Sequence, residues 1–189
     1  MSSLRTFVAI EASLEIRGHA ARLIERLRRA EAKVKWIAPE NLHLTLKFLG
    51  DVPEEHITEI CNAVSRSAAH IESFQITCRG AGAFPDLSRP RTVWVGIEQG
   101  CDQLCELQSG IEKALSDLGF HREGRRFRPH LTIGRVRGGG PAAHELGQLI
   151  QKCADFDAGK GIVDEIVVFS SELGPKGPTY TPLSRVPLP

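Results

Sequence analysis

The phrase His43-Leu44-Thr45-Leu46 returns in the second half of the chain as His130-Leu131-Thr132-Ile133. In both copies apolar residues alternate with a His and a Thr, the period of an extended strand and not of a helix. Leu44 and Leu46 therefore go to one face and His43 and Thr45 to the other, and the same holds for Leu131 and Ile133 against His130 and Thr132. Each copy presents an imidazole and a hydroxyl roughly 6–7 Å apart along one strand. A fold that lays the two strands side by side brings two imidazoles and two hydroxyls to one spot. That arrangement suits acid–base work on a phosphate.

The rest of the chain supplies a frame for it. Leu4 to Ile10 is apolar on both faces and reads as a central strand. Ser13 opens a helix to about Ala32, a short strand surrounds Val34 to Trp36, and the first His strand runs from Leu42 to Leu49, ended by Gly50-Asp51. Pro53 and two glutamates open a second helix to about Ala69. Two extended pieces, Phe74 to Cys78 and Gly80 to Phe84, read as one strand bent by glycines. Thr92 to Ile97 is another strand, and Asp102 to about Leu118 a helix stopped by Gly119. Gly138-Gly139-Gly140-Pro141 is the strongest break, followed by a helix from Ala142 to Lys152, a strand from Glu165 to Ser170, a Gly/Pro turn and a last extended segment near Tyr180 to Leu183. Each half of the chain carries one His phrase among helices and strands in comparable order. The expected fold is α+β, a duplicated unit with two sheets facing each other across a cleft and one phrase on each.

With 189 residues, 41% hydrophobic and 25% charged, the chain has the composition of a soluble globular protein and ample length for a core. A net charge of +1 excludes a global polyanion-binding field, yet the charge is clustered. Six arginines lie between Arg122 and Arg137 against Glu123 alone, and six basic residues between Arg22 and Lys35 against Glu25 and Glu31. Local patches of this kind can meet a polyanion without making the protein basic overall. The five cysteines are odd in number and form no C-x-x-C pair, so they read as reduced thiols in a cytoplasmic protein. Charges at Arg5, Glu11 and Glu15 leave no apolar core for a signal peptide, and no stretch approaches a membrane span.

One H-x-T on a strand is weak; its duplication in the same context points to a shared site. Imidazole titrates near pH 6.5, so one ring can serve as neutral base while the other is a protonated acid. The threonine hydroxyls can donate to phosphate oxygens and stabilise charge as it builds there. A catalytic zinc would want three protein ligands, and the phrases hold no Cys, Asp or Glu; neither a metal nor a cofactor is expected. Arg126, Arg128, His130 and Thr132 share a face if the strand begins that early, and Lys47 shares one with His43 and Thr45. Cations at such positions would hold a phosphate and push a neighbouring imidazole towards its neutral form. Trp36 and Phe84 are aromatics that would stack on a base, with plain packing the simpler role for each.

The two phrases resemble the paired HxTx signatures of the two-histidine (2H) phosphoesterases. The flanks Arg5 to Ile10, Leu42 to Gly50, Gly82 to Pro85, Trp94 to Gly96 and Phe127 to Arg135 resemble the branch called RNA 2′,3′-cyclic phosphodiesterase or 2′-5′ RNA ligase. The likeness covers nearly the whole chain. It implies a single bilobal α+β domain over residues 1–189, with two pseudo-symmetric lobes, each an antiparallel sheet with flanking helices, and one motif per lobe. It implies hydrolysis of a ribose 2′,3′-cyclic phosphate to a 2′-phosphate without metal. Its catalytic pair would be His43, protonating the departing 3′ oxygen, and His130, taking a proton from water. Thr45 and Thr132 would hold the phosphate, with Arg126 and Arg128 as further substrate-binding candidates. The partner would be RNA with 2′,3′-cyclic phosphate ends, tRNA fragments among them, met by a monomer that engages no membrane; 2′-5′ ligation from the same cyclic end would use the same two residues, with a ribose 5′-hydroxyl replacing water. Two alternatives remain at this point: a non-catalytic RNA-binding module built on the Arg122–Arg137 run, and a 2H enzyme acting on a small cyclic nucleotide.

Overall fold

A computed structural model of the protein describes residues 2–175 and 177–189. Lys176, in the turn expected after the Glu165 strand, lies outside the described residues. The described chain forms nine strands and four α-helices. The strands are β1 (Ser3–Glu11), β2 (Val34–Trp36), β3 (His43–Pro53), β4 (Phe74–Phe84), β5 (Thr92–Gln99), β6 (His130–Val136), β7 (Asp157–Val163), β8 (Glu165–Gly174) and β9 (Gly177–Pro187). The helices are α1 (Leu14–Leu27), α2 (Ile57–Ala68), α3 (Cys101–Asp117) and α4 (Pro141–Gln151). They make two sheets, ordered β3-β1-β8-β9 and β2-β6-β5-β4-β7. Every ladder in both is antiparallel.

Apolar alternation sets which side of each strand is buried. In the four-stranded sheet, Val8, Ile10, Leu44, Ile166 and Val168 join the main core, while Phe7, Ala9, Val167 and Phe169 form a separate cluster on the other face with Tyr180. Leu44, Leu131 and Ile133, the apolar half of the two phrases, are almost fully buried. Each contributes about 1.5–3 kcal/mol by leaving water. That burial holds the His and Thr positions on the opposite face. Helices α2 and α3 back the four-stranded sheet through β9 and β3; α1 and α4 back the five-stranded sheet through β7 and β4. The two His strands, β3 and β6, approach each other where the sheets meet.

The duplication takes a different form from two halves standing apart. Strand β4, from the first half, crosses to pair with β5, and β8, from the second half, crosses to pair with β1. Each sheet is thus assembled from both halves. Local boundaries also shift. Helix α1 ends at Leu27, capped at its start by the Ser13 hydroxyl, and a single 3-10 turn covers Arg28–Ala30, after which Glu31 turns left-handed. Gly50-Asp51 does not end β3: Gly50 takes a φ of 76°, and both residues stay paired with Thr6 and Arg5. The Pro53 signal opens a 3-10 turn over Glu54–His56 before α2.

Candidate active site

His43 and His130 each open their strand, and each places Nδ1 against the carbonyl two residues earlier. The distances are 2.7 Å to Asn41 O and 2.6 Å to Arg128 O. A carbonyl only accepts, so both Nδ1 atoms carry the hydrogen and donate it. Nε2 is then the nitrogen left for chemistry on both rings. Aromatic side chains hold each ring in place. Phe7 lies 5.0 Å from the His43 ring and Tyr180 meets it edge-on at 5.3 Å, while Phe84 meets the His130 ring edge-on at 5.0 Å.

The two phrases share a further distortion. On β3, Ala9 pairs with Thr45 and Val8 with Lys47, leaving Leu46 as an extra residue. On β6, Trp94 pairs with Thr132 and Val93 with Gly134, leaving Ile133 extra. The fourth position of each phrase is therefore a β-bulge, which reverses the alternation beyond it. One expectation from parity falls on this point. Lys47 turns away from His43 and Thr45 into the core side, where its Nζ donates to Glu112 Oε1 at 2.6 Å and to His121 O at 2.6 Å. Phe48 takes the cleft face instead, paired with Phe7 and carrying the Arg5 guanidinium 5.0 Å from its ring centre.

On β6 the same shift carries Arg135 to the His130 face, opposite Thr92. Uninterrupted alternation would bury Arg135 with Leu131 and Ile133, so sequence reasoning missed it. The available signal was Val136, an apolar residue out of phase with Leu131 and Ile133. Arg135 joins the two halves of the site electrostatically. Burial is the main cause lowering both imidazoles below the usual pKa, the carbonyl hydrogen bonds oppose it, and the Arg135 charge lowers both further. The rings differ in one respect: Glu11 stands opposite His43 in the β1–β3 ladder and favours its protonated form, whereas Gly96 holds the matching place opposite His130.

Thr45 is exposed and Thr132 half-buried on the His faces of their strands, and among the described residues no protein acceptor takes either hydroxyl. Strand β6 begins only at His130, so Arg126 and Arg128 do not extend its face; they sit in the exposed loop before it. That loop nevertheless lines a cavity of about 930 Å3 together with Thr45 and His130. Phe84 lines the cavity, while Trp36 packs on the core side over Gly134, where any Cβ would come within 2.7 Å of the indole. Packing is the role left to Trp36. Among the described residues, no three His, Cys, Asp or Glu side chains gather as metal ligands would. No helix in them is long and apolar enough to cross a membrane.

Comparison with known proteins returns the same duplication. The model of a family described as LigT like phosphoesterase matches the chain twice, over residues 10–94 and 95–180. A protein of Methanothermobacter thermautotrophicus named RNA 2′,3′-cyclic phosphodiesterase is 39% identical over 179 residues, covering 94% of this chain and 95% of its own. One of the same name from Thermotoga maritima is 37% identical over 177 residues, covering 94% and 91%. The crystal structure of E. coli LigT without ligand superposes with a TM-score of 0.80 at 27% identity, covering 100% of this chain and 99% of that one.

Proposed function

Because the chain belongs to the LigT-like phosphoesterase family, we propose that it is an RNA 2′,3′-cyclic phosphodiesterase in which His43 and His130 act as acid and base on one phosphate. The observation that carries the reading is the pair of imidazoles with Nδ1 tied back and Nε2 free, both lowered in pKa by burial and by the charge of Arg135. His130 Nε2 takes a proton from water as the water oxygen bonds to phosphorus. The bond from phosphorus to the ribose 3′ oxygen breaks, His43 Nε2 gives that oxygen its proton, and a 2′-phosphate remains. Glu11 opposite His43 supports giving the acid role to that ring, since a carboxylate nearby stabilises imidazolium. Thr45, Thr132 and Arg135 hold the non-bridging oxygens, where their donors meet the charge that grows in the transition state.

RNA carrying such an end is the substrate, tRNA fragments among them. With a ribose 5′-hydroxyl replacing water, His130 takes the proton of that hydroxyl as its oxygen bonds to phosphorus, the bond to the 3′ oxygen breaks, His43 protonates it, and a 2′-5′ linkage remains. The chain acts as a monomer, a reading supported by β3 and β6 bringing both histidines from one polypeptide. Its place of action is the cytoplasm, supported by five cysteines that stand as free thiols. The test is product analysis on a short RNA ending in 2′,3′-cyclic phosphate, with EDTA present. A 2′-phosphate product formed at an undiminished rate is expected; a 3′-phosphate, or loss of turnover with the chelator, contradicts the proposal.

A further inference from the structure

The two histidines are built alike except for the carboxylate beside one of them, and that carboxylate is held from the far end of the chain. Glu11 ends β1 opposite His43, and its Oε2 accepts from Arg185 Nη1 on β9 at 2.9 Å. The same nitrogen donates to Glu165 Oε1 on β8, so one guanidinium draws two carboxylates together. Arg17 of α1 brings Nη2 to 3.9 Å from the other Glu11 oxygen, an ion pair beyond hydrogen-bond reach. Among the described residues, Arg185 is therefore the one side chain that hydrogen-bonds Glu11.

Glu11 has room to be elsewhere. With Ser13, Arg17, Asp164 and Glu165 it lines a hollow of about 270 Å3 beside the start of α1. An ionised carboxylate next to open space turns to water unless a partner fixes it. Loss of Arg185 would also leave Glu11 and Glu165 as neighbouring like charges, which drives them apart. Arg185 does not reach His43 itself. Besides burial, what acts on that ring is the Asn41 carbonyl, Arg135 from β6 and Glu11 from β1, while Tyr180, edge-on from β9, is kept uncharged by its own burial. Resting on the acid role proposed for His43, we infer that Arg185 is a positioning residue: it holds the Glu11 carboxylate at the His43 strand and so keeps in place the proton that the departing 3′ oxygen receives. A residue of the last strand, 174 positions from Glu11, thereby sets the acid apart from the base.

The experiment follows the Cε1 protons of His43 and His130 by NMR titration in the wild-type protein, Glu11→Gln, Arg185→Met, Arg185→Lys and Glu11→Gln/Arg185→Met. Beside it runs the pH profile of kcat/KM on a short RNA with a 2′,3′-cyclic end. Arg185→Met should lower the His43 midpoint by most of what Glu11→Gln takes away, leave His130 in place, and bring the alkaline limb of the profile down with it. Arg185→Lys keeps a cation between the two carboxylates and should restore most of the loss. The double variant should titrate as Glu11→Gln does. The Arg185 side chain is 45% exposed, and a general loosening of the site would move both rings and not one. An unmoved His43 midpoint in Arg185→Met overturns the inference. So does a rise, which would mean that Arg185 only screens Glu11, or a fall in the double variant well beyond that of Glu11→Gln. The titration needs no turnover, so each of these results leaves the proposed activity standing. A wild-type protein that opens no cyclic end would instead remove the acid role, and the inference with it.

Discussion

His43 and His130 titrate below an ordinary imidazole because each is removed from water by its aromatic neighbours, and one carboxylate then distinguishes them. The free enzyme needs its base neutral and its acid protonated, so kcat/KM should follow a bell that peaks on the acidic side of about pH 6.5. With His43 as acid, the alkaline limb reports the loss of its proton. Glu11 holds that proton on, so Glu11→Gln should move the alkaline limb to lower pH and leave the acidic limb in place. Arg135 depresses both rings, so Arg135→Gln should move both limbs to higher pH while lowering kcat/KM. A Glu11→Gln profile shifted in its acidic limb alone would reverse the acid and base assignment. The faces of the two phrases, with Leu44, Leu131 and Ile133 buried and the His and Thr positions opposite, were legible because alternation needs only a few residues of strand. Arg135 was not, since a bulge is set by the pairing of the partner strand and leaves almost no trace in the strand that carries it.

That bulge also decides what Lys47 does. Turned to the core side, its side chain and that of Glu112 are 7% and 13% exposed, and the pair ties β3 to α3 and, through His121 O and the Glu123 N–H, to the loop that leads into His130. Removing one partner of a buried pair leaves the other charge unmatched. Lys47→Met should therefore cost about 3 kcal/mol in urea unfolding, at the low end for a broken buried pair. Lys47→Met/Glu112→Gln should recover part of it. A single-variant loss below about 0.5 kcal/mol would mean that the pair does not organise the loop. Among the elements, β7 escaped the sequence for a physical reason. Its DAGKGIV run is interrupted by glycines because it lies against the start of α1: a Cβ at Gly161 would come within 2.9 Å of Ser13, whose hydroxyl donates to Lys160 O. Close packing of that kind removes the side chains on which a strand is recognised. Strand β1 holds no glycine and β5 only Gly96, so both read plainly from their Val, Ile and aromatic content.

At the scale of the whole molecule, sequence repetition announced two related units but not their exchange of strands. Alternation says which face of a strand is buried and nothing about which sheet receives it, and β4 and β8 satisfy their apolar faces in the opposite unit from the one that precedes them. Residues 1–90 and 91–189, made separately, should each lack a cooperative unfolding transition, because each leaves both sheets incomplete; mixing should restore one. Cooperative unfolding of either piece alone would show that its sheet closes without the other. The exchange makes the site a property of the complete chain, with one imidazole on each sheet. The most direct test of that shared site is turnover of an RNA 2′,3′-cyclic end by His43→Ala, His130→Ala and the double variant. Each single change should lower the rate about 10²–10⁴-fold, and the double should fall little further than the worse single, as for residues that act as a unit. Near-normal turnover by either single variant, or losses that simply multiply in the double, would contradict two imidazoles working on one phosphate.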